Sequence, residues 1–236
     1  MKRIILMMLR NWWFLPYGFI KLYYTAWNAD KLSDEQRYKT LKMIVRRANK
    51  AGNIKIQSFG INHIPKDGGF VFFPNHQGMY DVLALIECCE RPFSVVNKKE
   101  LENIPVLSKV FRCMKAISLD RSDVRQGIKV IQQVATEVKQ GRPYVIFPEG
   151  TRSKLGNKLL EFKGGSFKSA MKAQCPIVPV ALIDSYKAFD TSSIKQITVQ
   201  VHFLEPIPYE EYKEMKSVEI AEMVKSRIEE RIKECE

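Results

Sequence analysis

The sequence has few of the residues that usually hold metals or cross-links. Its 236 residues include three histidines and five cysteines, with no Cys-x-x-Cys pair and no histidine at a zinc-like spacing. An odd number of scattered cysteines favours free thiols in a reducing compartment over a disulfide framework. We therefore expect no structural metal site. Separately, we expect no cofactor.

Long apolar runs are also missing, even from the N-terminal segment that contains all three tryptophans. Within residues 1–30 the longest uncharged run is Asn11–Ile20, which includes Pro16 and Gly18. A membrane-spanning helix needs about 20 apolar residues, and a secretory signal needs an apolar core followed by a small-residue cleavage site. The segment fits neither pattern.

The aromatic residues of this segment are interspersed with basic residues, namely Lys2, Arg3, Arg10 and Lys21. This mixture is typical of a helix in the membrane interface, with rings at headgroup level and cations near phosphates. We expect residues 1–52 to form an amphipathic helical arm. Its first 30 residues would lie on the cytoplasmic face of a membrane without spanning it. The alternative is a helical arm buried against the core.

Acidic residues are scarce relative to basic ones, since 26 Asp and Glu face 38 Lys and Arg for a net charge of +12. Such a charge predicts an anionic partner, which could be nucleic acid, a phospholipid surface or a phosphorylated metabolite. The basic residues are spread along predicted helices, and no helix-turn-helix, zinc-finger or aromatic RNA-binding signature is present. A nucleic-acid-binding protein is therefore disfavoured, and an anionic membrane surface is the expected partner.

A well-defined helix is predicted after the aromatic segment. Ser33 and Gln36 form a capping box at its start, and Gly52 can end it. Opposite its apolar face the helix carries Lys39, Lys42, Arg46 and Arg47. A run of this kind is usually solvated, and beside an interfacial segment it could also contact anionic lipid.

Strand and helix patterns alternate through residues 53–236. The predicted strands are 54–59, 70–73, 93–96, 116–119, 144–147, 177–183 and 197–203. Interleaved strands and helices predict an α/β domain with a mixed central sheet flanked by helices. The clean alternation of the last strand places His202 on its polar face.

The stretch Gly69–Cys89 (GFVFFPNHQGMYDVLALIECC) is predicted to fold as strand, turn and helix. Two helical residues five apart point about 140° away from each other. His76 can therefore reach Asp81 only if His76 lies in the turn and Asp81 in the first helical turn. A carboxylate bonded to one imidazole nitrogen leaves the other nitrogen as a general base. The alternative is a turn histidine that happens to precede a helix-terminal aspartate.

Polar residues follow three further predicted strands. Lys98 follows the third strand, Arg121 the fourth, and Glu149-Gly150-Thr151-Arg152 the fifth. Open α/β sheets place their sites at strand ends, so these residues could share one cleft with His76. Cations around a base suit a phosphorylated substrate, with arginine as a bidentate clamp.

Taken in order, these segments resemble a known family. The matching blocks are NHxxxxD (75–81), KKEL (98–101), ISLDR (117–121), FPEGTR (147–152) and IVPV (177–180). They are similar to the ordered blocks of the glycerolipid acyltransferases, and most similar to bacterial 1-acyl-sn-glycerol-3-phosphate (lysophosphatidic acid) acyltransferases. The resemblance covers roughly residues 55–185.

The resemblance implies transfer of a fatty acyl group from a thioester of acyl carrier protein or coenzyme A. The acceptor would be the sn-2 hydroxyl of lysophosphatidic acid and the product phosphatidic acid. His76 would act as general base, oriented by Asp81. Phosphate binding would fall to Glu149, Gly150, Thr151 and Arg152. Lys98 and Arg121 match further basic positions that could hold the acceptor phosphate or the phosphates of the donor.

The oxyanion of the reacting thioester also needs donors, and the backbone N–H groups of the Gln77–Gly78 turn are candidates. The resemblance implies neither a metal nor an acyl-enzyme. Glycerol 3-phosphate or another lysophospholipid is the alternative acceptor. A lipid-binding module without activity is disfavoured because the base and its carboxylate are both present.

Overall fold

The computed structural model describes residues 2–120 and 123–236, so the predicted site residue Arg121 lies outside the described residues. The helices are α1 (Lys2–Arg10), α2 (Leu15–Trp27), α3 (Asp34–Ala51), α4 (Asp81–Cys88), α5 (Pro105–Cys113), α6 (Val124–Lys139), α7 (Lys168–Ala173), α8 (Tyr209–Tyr212) and α9 (Ser217–Cys235). The strands are β1 (Ile54–Phe59), β2 (Val71–Pro74), β3 (Ser94–Lys98), β4 (Ile117–Leu119), β5 (Tyr144–Val145), β6 (Ile177–Ile183) and β7 (Ile197–Phe203).

The strands form one sheet in the order β1-β7-β6-β2-β5-β3-β4. Strands β6, β2, β5, β3 and β4 run parallel to one another. Strand β7 is antiparallel to β6, and β1 is parallel to β7. The predicted mixed α/β sheet is confirmed. The carboxyl ends of the five parallel strands lie at one edge of this sheet, where open α/β sheets place their sites.

Helices cover both faces of the sheet. Successive strand side chains point to opposite faces, so Phe70 and Phe72 pack with α1–α5, whereas Val71 and Phe73 pack with α6, α7 and α9. All four side chains are at most 1% exposed. A strand buried on both faces reads as a continuous apolar run, which explains the FVFF sequence.

The N-terminal arm packs one face against the core through Arg3, Met7, Leu22 and Ala26. The Arg3 guanidinium is fully buried, and it donates to the carbonyl oxygens of Gly52 at 2.5 Å, Ser193 at 2.9 Å and Lys195 at 3.0 Å. The basic–aromatic mixture suggested that Arg3 lies at headgroup level, but its side chain is buried inside the protein. It ties α1 to the rest of the chain.

The opposite face of the arm exposes large apolar side chains. The exposed set includes Ile5, Met8, Leu9, Trp12, Trp13, Tyr17, Ile20, Tyr24 and Trp27, with Trp12 at 73% and Trp27 at 88% exposure. We call these residues the apolar arm surface. Within the described ranges, none of the helices combines the length and apolar character that crossing a bilayer requires.

The capping box at the start of α3 is confirmed, with Gln36 N–H donating to Ser33 Oγ and the Gln36 side chain accepting from Ser33 N–H. The prediction that Lys42 lies on a solvated face is wrong. Its ammonium is buried, donates to the Cys89 carbonyl at 2.9 Å and lies 2.6 Å from a Glu90 carboxylate oxygen. The segment after α4 covers this part of the helix.

The prediction that His202 lies on a polar face is also wrong. Its side chain is buried, with its ring stacked on Phe59 at a centroid distance of 4.4 Å. The Nε2 atom lies 3.0 Å from Gln200 Oε1 and 3.8 Å from Cys235 Sγ at the end of α9. Since α9 covers this end of β7, alternation along the strand does not lead to solvent.

Candidate active site

The end of β2 is tied to its neighbour by the side chain of Asn75. Its Oδ1 accepts from the Leu182 N–H at 2.7 Å, and its Nδ2 donates to the Leu182 carbonyl at 3.0 Å. The amide thus continues the strand pairing for one more position. The backbone then leaves the sheet with His76 as the first residue of the turn.

His76 and Asp81 meet as predicted. His76 Nδ1 lies 2.7 Å from Asp81 Oδ2, and Asp81 is the first residue of α4. The carboxylate is fully buried and accepts further hydrogen bonds from Gln77 N–H at 2.7 Å, Gly78 N–H at 3.1 Å and Ser185 Oγ at 2.5 Å. An ionised carboxylate only accepts hydrogen bonds, so in the neutral imidazole the proton lies on Nδ1 and the lone pair on Nε2. The His76 side chain is 18% exposed.

The same bonds overturn one expectation. The Gln77 and Gly78 N–H groups, suggested as oxyanion donors, both point at the Asp81 carboxylate. They hold the carboxylate that contacts His76 and do not face a reacting carbonyl. The buried aspartate at the helix start attracts the nearest N–H groups of the turn, as an N-terminal carboxylate generally does.

The Gln77 side chain connects this turn to the end of β6. Its Oε1 accepts from Ser185 N–H at 2.9 Å, and its Nε2 donates to the Leu182 carbonyl and to Asn157 Oδ1, both at 2.9 Å. Sequence reasoning missed Ser185, which lies in a 3₁₀ turn just after β6. The available signal was its position after a buried parallel strand, at the same sheet edge as His76.

The Phe147–Arg152 loop lies beside His76. Glu149 Oε1 accepts from the His76 N–H at 2.6 Å, and its Oε2 accepts from the Leu160 N–H at 3.0 Å. The Phe147 ring packs on the His76 ring with centroids 4.1 Å apart. Burial raises the pKa of the Glu149 carboxyl, and the two N–H donors act in the opposite direction. Glu149 is 2% exposed and braces the loop, with both oxygens bonded to backbone.

Gly150 has a φ of +70°, a left-handed conformation that side chains disfavour. A Cβ atom at this position would lie 3.1 Å from Lys163 Nζ, so the Lys163 ammonium lies directly against the glycine. Sequence reasoning missed Lys163, whose N–H also donates to the Pro148 carbonyl at 2.9 Å. The sequence around Lys163 does not indicate that this lysine folds back onto the loop that contains Gly150.

Arg152 is half-buried, and its guanidinium has no hydrogen-bond or ion-pair partner among residues 2–120 and 123–236. Thr151 is exposed. Lys98 ends β3 at the same sheet edge, where its ammonium lies 2.9 Å from Glu100. Two cations at the Phe147–Arg152 (FPEGTR) loop therefore have no anionic partner in the described chain. They are Arg152, within the loop, and Lys163, which lies against Gly150.

The five cysteines, all within the described ranges, are free. Burial raises the pKa of Cys88 to about 12 and that of Cys89 to about 11. Both therefore stay protonated near neutral pH, and a nucleophilic cysteine must be a thiolate. This pair at the end of α4 does not supply an acyl-accepting nucleophile.

Comparison with known proteins identifies similar sequences. The family model described as Acyltransferase matches residues 55–183. The 1-acyl-sn-glycerol-3-phosphate acyltransferase of Salmonella typhimurium is 29% identical over 170 residues, covering 72% of this chain and 69% of that protein. The human 1-acyl-sn-glycerol-3-phosphate acyltransferase alpha is 32% identical over 181 residues, covering 74% of this chain and 62% of that protein.

The fold also matches a solved structure. The crystal structure of the 1-acyl-sn-glycerophosphate acyltransferase PlsC from Thermotoga maritima superposes with a TM-score of 0.75. The two chains are 20% identical, and the match covers 98% of this chain and 97% of the other. The shared fold includes the N-terminal arm as well as the sheet.

Proposed function

The chain belongs to the acyltransferase family, and on that premise we propose that it transfers a fatty acyl group to the sn-2 hydroxyl of lysophosphatidic acid. The product would be phosphatidic acid, and the donor a thioester of acyl carrier protein or coenzyme A. The names of the similar bacterial and human proteins support this acceptor. The observation that supports the proposal most directly is the His76–Asp81 pair, in which the Nε2 atom of His76 is available as a base.

In the proposed reaction, His76 Nε2 takes the proton of the sn-2 hydroxyl while the hydroxyl oxygen attacks the thioester carbonyl carbon. The tetrahedral intermediate then collapses, the carbon–sulfur bond breaks, and the leaving thiolate takes the proton from the imidazolium. Asp81 stabilises that imidazolium through Nδ1. General acid–base catalysis of this kind contributes about 10²–10⁴ in rate.

We assign the acceptor phosphate to the FPEGTR loop. Arg152 and Lys163 supply the cations, because neither is neutralised within the described chain and arginine binds phosphate bidentately. Gly150 lets the ammonium of Lys163 approach, and Thr151 offers an exposed hydroxyl. Glu149 has a positioning role, since its carboxylate links the loop to His76. Lys98 and Arg121 are proposed as further phosphate ligands from the same sheet edge.

We propose that the apolar arm surface rests on the cytoplasmic face of a membrane. Large exposed apolar patches on a protein surface mark interaction sites. Tryptophan and tyrosine are enriched at the depth of lipid headgroups. The arm would bring the enzyme to an acceptor that resides in the membrane, while its inner face stays packed on the core.

The test is an assay of the purified protein with acyl carrier protein and coenzyme A thioesters. Lysophosphatidic acid, glycerol 3-phosphate and lysophosphatidylcholine would be offered separately as acceptors. We expect phosphatidic acid to be the main product. Acylation of glycerol 3-phosphate or lysophosphatidylcholine with none of lysophosphatidic acid would overturn the assigned acceptor.

A further inference from the structure

A basic groove lies between α1 and α3. Its cavity volume is about 1030 Å³, and its lining includes two acidic residues, Glu35 and Glu90. Six basic residues line it, namely Arg10, Lys39, Lys42, Arg46, Arg47 and Lys50. We call this cavity the α1–α3 groove. None of the proposed catalytic or phosphate-binding residues contributes to it.

Three of the six cations are engaged within the protein. Lys42 and Arg46 lie 2.6 Å and 3.5 Å from the same Glu90 carboxylate oxygen. Arg10 donates to the Ala51 carbonyl at 3.1 Å and to an Asn53 side-chain oxygen at 2.7 Å. Internal pairing therefore accounts for only part of the positive charge in the groove.

The other three cations, Lys39, Arg47 and Lys50, have no acidic partner among the described residues. The Arg47 guanidinium lies 4.1 Å from the Trp13 ring centroid and 4.7 Å from that of Phe14. Its Nε atom is buried and has no acceptor within the described part of the chain. The buried Nε atom cannot itself reach a ligand, but the terminal N–H groups of this half-buried guanidinium are accessible and also have no acceptor among the described residues. An arginine held by two rings with these donors unused is suited to an added anion.

The position of the groove indicates the kind of anion. Trp13 lines the groove and also belongs to the apolar arm surface, where it is 58% exposed. A phosphate bound at Arg47 would therefore lie next to a surface that accommodates acyl chains. That combination fits the headgroup of an anionic phospholipid better than the acidic surface of an acyl carrier protein, whose single acyl chain would be delivered to His76 and not beside Trp13.

We propose that the α1–α3 groove binds the headgroup phosphate of an anionic phospholipid in the membrane on which the arm rests. This inference rests on the membrane association proposed above and adds a discrete site to it. The apolar arm surface supplies binding to any bilayer. The groove makes that binding stronger on anionic membranes and does not include the catalytic histidine in its lining.

The experiment compares binding of the full-length protein to vesicles of phosphatidylcholine alone and of phosphatidylcholine with phosphatidylglycerol. The test variant is Lys39→Gln/Lys50→Gln, and the matched control is Lys2→Gln/Lys31→Gln, two exposed lysines of the arm outside the groove. A basic residue near an anionic membrane contributes roughly a fivefold gain in affinity. We expect the test variant to lose about 25-fold on anionic vesicles and nothing on neutral ones, with a clearly smaller loss for the control.

Two results would overturn the groove site alone: equal losses in both variants, or wild-type binding that does not depend on phosphatidylglycerol. Loss of acyl carrier protein binding in the test variant with vesicle binding unchanged would assign the groove to the carrier protein instead. Failure of the wild type to bind either vesicle would refute membrane association itself, and the groove proposal with it. Arg47→Lys provides a second variant, since it keeps the charge but removes the bidentate guanidinium.

Discussion

Ser185 Oγ donates a hydrogen bond of 2.5 Å to Asp81 Oδ1, although 104 residues separate the two in sequence. Both side chains are fully buried. The bond joins the turn after β6 to the first residue of α4. The orientation of the carboxylate that holds His76 therefore depends on a residue outside the His–Asp motif.

Replacing Ser185 with alanine should lower kcat about tenfold, because the Asp81 carboxylate loses one of the donors that fix it against His76. The free energy of unfolding should fall by about 1.5–3 kcal/mol, as is typical for a hydrogen bond to a charged group. Steady-state kinetics and denaturant unfolding measure the two effects.

The matched control is Ser169→Ala, since Ser169 is a buried serine whose Oγ has no hydrogen-bond partner in the described structure. This variant should keep both activity and stability. If Ser185→Ala loses stability to the expected extent but keeps the wild-type kcat, Ser185 is structural and does not position the His76–Asp81 pair for catalysis.

Gly150→Ala tests the conformation of the FPEGTR loop. The substitution forces a side chain into left-handed backbone, at a cost of about 1–2 kcal/mol, and moves the Lys163 ammonium from its place. We expect KM for the phosphorylated acceptor to rise more than kcat falls. Gly165→Ala is the control, because a Cβ there meets nothing within 4 Å. A KM unchanged by Gly150→Ala would remove Lys163 from the proposed phosphate site.

His202 should make the stability of the protein depend on pH. Burial and the nearby Arg231 lower the pKa of His202 from 6.5 to about 4, against an opposing effect of Glu234. The folded state therefore holds this imidazole neutral, while the unfolded chain takes up a proton below pH 6.5. The contribution is complete above pH 6.5 and is lost as the pH falls towards 4, to a total of about 3 kcal/mol at most.

Denaturant unfolding at pH 7 and pH 4.5 measures this effect in the wild type and in His202→Gln. The variant cannot titrate at this position, so its stability should fall less between the two pH values. Equal falls in both proteins would show that other groups cause the acid sensitivity.

Membrane association can be tested with two isoleucines on opposite faces of the sheet. Ile20 on α2 is 70% exposed and belongs to the apolar arm surface, whereas Ile128 on α6 is 52% exposed. Ile20→Ser should weaken binding to neutral vesicles about tenfold, because an apolar side chain no longer enters the interface. Ile128→Ser should bind like the wild type in the same co-sedimentation assay. Equal binding by all three proteins would contradict an arm that rests on the membrane.

Removing the arm altogether would be a poorer test. Arg3, Met7 and Leu22 are buried, and Arg3 holds the carbonyl groups of three distant residues. A deletion of residues 1–28 would uncover the core, so the loss of binding could reflect misfolding. Point changes on the exposed face avoid this ambiguity.

The sequence predicted what depends on local pattern. The strand–turn–helix around His76 could be inferred from local signals. The FVFF run indicates a strand, the turn residues indicate a turn, and Asp81 indicates the start of a helix. The sheet edge followed from the rule that parallel strands gather their carboxyl ends. These local signals were sufficient to place the His–Asp pair.

Contacts between distant segments could not be predicted in the same way. The position of Ser185 after a buried strand places it at the sheet edge but does not reveal its bond to Asp81. Nothing near Lys163 or His202 in the sequence reveals which residues lie against them in the fold. The Gln77–Gly78 N–H groups were assigned to an oxyanion because the sequence did not show how Asp81 would orient its oxygens. Lys42 resembled a solvated lysine because its buried carbonyl acceptor comes from another helix terminus.

The central claim is that His76 Nε2 acts as the general base, and the most direct measurement is the rate of acyl transfer by His76→Ala under saturating lysophosphatidic acid. Vesicle binding and thermal unfolding of the variant would establish that it still folds and reaches the membrane. We predict that kcat falls by about 10²–10⁴ while both of these properties are retained. A folded, membrane-bound variant that turns over within tenfold of the wild type would contradict the mechanism.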